Sequence, residues 1–305
     1  MNRLRFFLAP ATSLVATLVA ALVLGGCRAT LPQDVSVRGP SAEITDGCFD
    51  LRVLPAADRA YADSLLGAAL DREALYTYAA PIKPISSVAM LRLPVARPDS
   101  VPEGAREQAR AAPGAQAAAE RFYRVAAALR CGPVETVVVP YRAAFGSERA
   151  LQMTAVRRDR LDEILARDAP FWLQFGIVPG ADAHLVVSVV EHAAAADRWR
   201  GYGYLFGYPE HAITFFVEAG REGMVTGEIV PRDFFHIPVH VRESGHFTYA
   251  VPRGYTPTET DSVLYRHGTA VLAEYRARRA AFLRPDSTLR AADLLRAWAA
   301  GPARP

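Results

Sequence analysis

Five of the seven histidines, His192, His211, His236, His240 and His246, fall between residues 191 and 253, beside Glu191, Glu210 and Glu243. Imidazole and carboxylate are ligands that zinc accepts, and an imidazole next to a carboxylate is also the pairing of a general base. Glu210 and His211 follow Pro209, and proline is preorganised for a first helical turn. A base tuned by its carboxylate neighbour could sit at that helix start. The plainer alternative is that Glu210 complements the helix dipole and His211 is simply exposed.

A strand over 234–241, paired with 247–251, puts Phe235, Ile237, Val239 and Val241 on one face and His236 and His240 on the other. At about 3.3 Å per residue the two histidines then stand roughly 13 Å apart, too far for one ion. A zinc site therefore has to recruit His211 or His246 from another element, and nothing in the pattern requires a cofactor.

Lys83 is the only lysine among 35 basic residues, with Ser86 and Ser87 close by. An amine kept where arginine is the usual cation suggests a need to lose a proton, as in a Ser-Lys dyad. The lysine nevertheless precedes the serines, opposite to the Ser-x-x-Lys order, and a single lysine also survives by chance. The run Trp199-Arg200-Gly201-Tyr202-Gly203-Tyr204-Leu205-Phe206-Gly207-Tyr208 offers either a stacking surface for sugars and other flat ligands or aromatic core. There is no His-Glu-x-x-His, Gly-x-Ser-x-Gly, phosphate loop or Gly-x-Gly-x-x-Gly.

The amino terminus carries a more specific signal. Arg3 and Arg5 precede an apolar run from Phe6 to Leu24, the order of an export leader. The run ends in Leu24-Gly25-Gly26-Cys27, which resembles the lipobox of bacterial lipoproteins. That resemblance covers only the leader. It implies cleavage before Cys27, a diacylglycerol thioether on that cysteine, with palmitate among its acyl chains, and a cell-envelope address. It further implies the outer membrane, facing the periplasm, because Arg28 is not a retention aspartate. An uncleaved membrane helix is the alternative, since about 20 apolar residues can cross a bilayer.

An oxidising envelope favours joining the two remaining cysteines, Cys48 and Cys131, which lie in no C-x-x-C pair. Closing that loop stabilises by roughly 4–5 kcal/mol in a chain-entropy account. The formal charge of +3 includes Arg3 and Arg5, and no acid precedes Cys27, so the mature chain carries +1. Such a balance gives no electrostatic footprint for nucleic acid.

The elements that must position these groups follow from periodicity. Helices are predicted over 56–79, 115–130, from Asp159, from Pro209, from Thr258 to about Phe282, and over 288–299. Thr258 and Asp261 have capping-box spacing. Strands are predicted at 88–93, 134–139 and 150–156, the last two as a hairpin, and His184–Val190 reads as a central strand buried on both faces. Residues 94–114, with four prolines, suit an exposed loop. The fold class is α+β: a mixed or mainly antiparallel sheet with helices packed on it, in a single large domain over 43–300. Ahead of it stand a leader, 1–26, and a lipidated tether, 27–42. The reading that asks least of any residue is a membrane-anchored lipoprotein whose non-catalytic domain binds a small molecule, glycan or envelope protein. The alternative is an anchored hydrolase using Glu210, His211 and a hairpin histidine, with zinc as an optional ion.

Overall fold

A computed structural model describes residues 47–95, 103–104 and 114–301. They belong to one compact unit running from Glu43 to Pro305. The residues expected to form a leader, lipobox and tether, and most of the proline-containing segment 94–114, lie outside the described residues.

The unit is α+β. β1 (Ile85–Pro94), β2 (Val134–Phe145) and β3 (Glu148–Arg157) form an antiparallel sheet in the order β1-β3-β2. β4 (Arg232–Ile237) and β5 (Phe247–Pro252) form a separate antiparallel pair. Side chains alternate across the central strand β3 and meet two cores. Leu151, Met153 and Ala155 pack with α1 (Ala56–Leu70), α2 (Leu75–Tyr78) and α3 (Ala115–Ala128). Val156, on the other face, joins Ile85 and Val139 under α4 (Arg158–Arg167), α5 (Ala169–Leu173) and α6 (Ala183–His192). α7 (Ala195–Leu205) and α8 (Glu210–Thr226) complete that layer. α9 (Glu259–Arg279) and α10 (Ala291–Ala299) close the first core.

Two sequence expectations are overturned. His184–Val190 is helical, inside α6, because Asp182 caps the helix by accepting from the Leu185 N–H at 2.9 Å. Its buried residues, Ala183, Val186, Val187, Val190 and Glu191, recur at helical spacing, and Leu185 is half exposed. Tertiary packing thus outweighs the β-branched propensity of the four valines. The strand over 234–241 stops at Ile237, since Pro238 has no N–H to offer a ladder. His240 consequently lies beyond the strand, in a turn where Val239 N–H bonds the Arg242 carbonyl at 2.9 Å and Val241 N–H bonds that of Asp71 at 3.0 Å.

Two boundaries also shift. The predicted helix 56–79 breaks after Leu70, where the Asp71 carboxylate takes the Tyr275 hydroxyl at 2.7 Å and two Arg279 nitrogens at 2.9 Å. Asp159 stands in the first turn of α4 rather than at its cap. The hairpin β2-β3, the start of α8 after Pro209 and the Thr258–Asp261 capping box lie where the residues place them. The Sγ atoms of Cys48 and Cys131 lie at bonding distance, 83 residues apart in sequence.

The glycines of the aromatic run are packing sites. A Cβ at Gly203 would lie 2.7 Å from Ile213 Cγ1 on α8, and one at Gly201 would lie 2.8 Å from Val190 on α6. On α8, a Cβ at Gly220 would lie 2.4 Å from the Trp199 ring. Gly220→Ala is therefore expected to destabilise the domain by about 1–2 kcal/mol, overpacking outweighing roughly 1 kcal/mol of gained helix propensity. Urea unfolding followed by tryptophan fluorescence reads this, and unchanged or raised stability would refute the close approach.

Candidate functional site

Where α6 and α7 diverge from the sheet, a cleft of about 400 Å³ opens. Its floor is Ile85 and Ser87 from β1 with Gln152 and Thr154 from β3. Val139, Tyr141, Ala143 and Phe145 from β2 line it too, with Val187 and Glu191 from α6, Arg198 and Tyr202 from α7, and Phe206 at the end of α7. Strand alternation sends these sheet residues to the same face as Val156.

The joint of the cleft is the buried carboxylate of Glu191. β2 breaks register between Pro140 and Ala144, freeing the Arg142 N–H, which donates to Glu191 Oε1 at 2.8 Å. The Tyr202 hydroxyl donates to Oε2 at 2.7 Å, and Arg198 stands 4.0 Å from Oε1. On the strand side Arg149 caps the carbonyls of Tyr141 and Arg142. Burial first, then the bond to Glu191, pushes the Tyr202 phenol well above its usual range. Tyr141, its hydroxyl donating to Gln152 Oε1 at 3.1 Å, is raised by burial first and then by the charges of Glu191 and Glu73. Tyr202 stacks on Phe206 at 5.4 Å, and Tyr141 leans on Phe145 at 6.1 Å. Two aromatic pairs thus line the cleft, one from the sheet and one from the helix layer, their hydroxyls already bonded within the protein.

Behind Phe206 lies Lys83, fully buried. Its Nζ is bonded to Glu73 Oε2 and lies 5.0 Å from the Phe206 ring centre and 4.5 Å from that of Phe247. Glu73 Oε1 accepts from the Ser87 N–H at 3.3 Å. Burial lowers the amine's pKa, against the pull of Glu73. Ser86 Oγ is taken up by Thr77 Oγ1 at 2.8 Å and the Glu73 carbonyl at 3.1 Å, and the hydrogen bond of Lys83 Nζ goes to Glu73 and to neither serine. Lys83 is a core cation behind the cleft wall.

The histidines disperse. His211 Nε2 lies 2.9 Å from the Tyr255 hydroxyl and 3.2 Å from Asp261 Oδ1. The Tyr255 hydroxyl donates to Asp261 at 2.5 Å, so it accepts from His211 Nε2. Burial alone would raise Asp261, but bonds from Tyr249, Tyr255 and Thr258 reverse this and hold it at about 2. The carboxylate that orients His211 is therefore Asp261. Glu210 turns instead to Arg200 and Thr214, each at 3.0 Å. His236 Nδ1 bonds Thr248 Oγ1 at 2.8 Å. His240 lies edge-on to Tyr275, 3.9 Å from Asp71, and burial lowers its pKa with Arg279 and Arg276 assisting against Asp71.

Among the described residues, no hydrogen bond or ion pair joins any two of Lys83, Glu210, His211, His236 and His240, and no three His, Cys, Asp or Glu residues are grouped to hold a metal. Glu73 and Tyr255 drew no attention in the sequence. Asp261 did, through its capping-box spacing, but only as a helix signal. Compared with family models, curated proteins and solved structures, the chain finds no match.

The buried pair makes a measurable demand. Lys83→Met leaves Glu73 without its cation and is expected to cost about 3–5 kcal/mol, whereas Lys83→Met with Glu73→Leu should recover most of that loss. Denaturant unfolding of both variants is the measurement. A double variant no more stable than the single one would refute the pairing.

Proposed function

We propose that this chain is a lipoprotein of the bacterial cell envelope, held to a membrane, in the outer membrane facing the periplasm, by lipid on Cys27. Its domain binds a small ligand without transforming it. The observation that carries the binding reading is the cleft under Glu191. It is concave and of a size for a small molecule, its walls are aromatic and aliphatic, and only a few polar groups converge in it. Four of them are bonded in pairs, Tyr141 to Gln152 and Tyr202 to Glu191, and the Arg142 N–H holds Glu191 from outside, so much of the cleft is formed before a ligand arrives. Preorganisation lowers the entropic cost of binding. Paired aromatic walls suit a flat or ring-shaped molecule, a sugar among them. The anchoring reading rests on Leu24-Gly25-Gly26-Cys27. No helix among the described residues is long and apolar enough to cross a membrane.

Hydrolysis has one observation on its side, the orientation of His211 by Asp261 and Tyr255. The bonds of the described residues bring no hydroxyl or thiol nucleophile to His211 other than the phenol of Tyr255, which is engaged with Asp261. Zinc would need ligands beyond those gathered there. Binding remains the reading that the geometry supports better.

Both parts are testable. Expressed in a bacterial host fed labelled palmitate, the chain is expected to take up label and to fractionate with membranes, and Cys27→Ala to lose both. Labelling that persists in Cys27→Ala would end the anchoring reading. For the cleft, a thermal-shift screen of mono- and disaccharides and muropeptides is expected to yield a stabilising compound. At about 100 times its Kd such a compound adds roughly 2.7 kcal/mol, several degrees of melting temperature. Ala143 is exposed on the cleft wall, so Ala143→Trp should fill the cleft and abolish the shift while leaving the ligand-free melting temperature within a degree or so. A shift that survives Ala143→Trp would place binding elsewhere.

A further inference from the structure

Two charged side chains line the cleft, Glu191 and Arg198, and they differ in what they already hold. Glu191 is 5% exposed and is taken at both oxygens, by the Arg142 N–H at 2.8 Å and the Tyr202 hydroxyl at 2.7 Å. Arg198 has no such partner. Its Nη1 stands 4.0 Å from Glu191 Oε1, beyond hydrogen-bond range, and its guanidinium makes no hydrogen bond to any described residue. The side chain is only 29% exposed, so protein covers most of it. On the floor, Ser87 of β1 and Thr154 of β3 are register partners, which sets their side chains next to each other on the cleft face. Ser87 bonds Glu73 through its N–H alone, leaving its hydroxyl open. Thr154 is 4% exposed, and its hydroxyl has no partner among the described residues yet is not sealed from solvent, so it opens into the cleft.

We infer, on the binding reading proposed above, that the ligand of this cleft is a sugar acid, whose carboxylate meets Arg198 and whose ring hydroxyls meet Ser87 and Thr154. A guanidinium is a planar fork of donors that matches a carboxylate and accepts nothing. A wholly apolar ligand would cover that fork and both hydroxyls without bonding them, at a cost in free energy. A cationic ligand would face Arg198 and find both oxygens of Glu191 engaged. Glu191 opposes an entering anion, but from farther away. A carboxylate bonded to Arg198 lies closer to the cation than to the acid, and two donors already offset the charge of the acid. The C–H face of a sugar ring then has the Tyr202 and Phe206 pair to pack against.

Calorimetric titration of the purified chain with matched sugars tests this. Glucuronic acid is compared with glucose, and N-acetylmuramic acid with N-acetylglucosamine, at neutral pH. In at least one pair the acid is expected to bind about tenfold tighter or more than its neutral partner. Arg198→Gln should bring that ratio close to one while keeping the melting temperature, because the guanidinium makes no hydrogen bond within the protein. Benzoate, a flat acid without hydroxyls, should bind more weakly than the preferred sugar acid. Equal affinities within both pairs, a preference that Arg198→Gln retains, or benzoate binding more tightly than either acid each overturns the assignment while the cleft still stands as a binding site. Binding of no compound at all, or binding that Ala143→Trp leaves intact, overturns the assignment together with the binding reading.

Discussion

A single buried carboxylate holds the two layers of this domain in register. β2 cannot keep its ladder through Pro140, and the Arg142 N–H that it releases would be costly to leave unpaired. Glu191, reaching in from the end of α6, accepts that N–H with one oxygen and the Tyr202 hydroxyl of α7 with the other. The strand irregularity, the approach of α6 and the tilt of the first aromatic wall are thus one problem with one solution. Arg142 closes the joint from the sheet side by donating to the Ala193 carbonyl at 3.0 Å, at the connection between the two helices. Remove the carboxylate, and sheet, helix and cleft lose their common reference.

The same logic recurs at Asp71, partly buried, and at Asp261, fully buried. Asp71 ends α1 by turning toward Arg279 and Tyr275 of α9. Asp261 opens α9 and at the same time receives Tyr249, Tyr255 and His211. In each case a helix terminus coincides with a long-range polar contact, so the end of the element is set by its tertiary partner as much as by local preference. Only Lys83 and Glu73 lie close in sequence, and they are enclosed by aromatic faces on which a cation is favourably placed.

Local signals in the sequence were read correctly where the physics is local. α8 begins just after Pro209, Thr258 and Asp261 form their reciprocal cap, and alternating Leu151, Met153 and Ala155 lie on one side of β3. The α+β class follows from such elements. The reading of 184–190 failed because four valines weighed more than the helical recurrence of Val186, Val187 and Val190 and the cap at Asp182. The candidate site was largely illegible for a different reason. Glu191 and Arg142 are 49 residues apart, and His211 and Asp261 are 50 apart. Pairings of that span are written in no local spacing. Adjacent residues misled in turn, since Glu210 and His211 are neighbours in the chain yet answer to different partners.

The cross-link at the start of the fold has a mechanical consequence. Cys48 is bonded to Cys131, which exchanges both backbone hydrogen bonds with Val134, the first residue of β2, at 2.8 and 2.9 Å. Tension on the chain ahead of Gly47 would cross the sulfur bridge directly into the sheet instead of peeling the amino-terminal turns away one by one. Phe49, whose N–H bonds the Arg130 carbonyl at 2.8 Å, lies just inside that bridge and is shielded from the pull. A pull applied before Cys48 would bypass α1, α2, β1 and α3, which the bridge encloses.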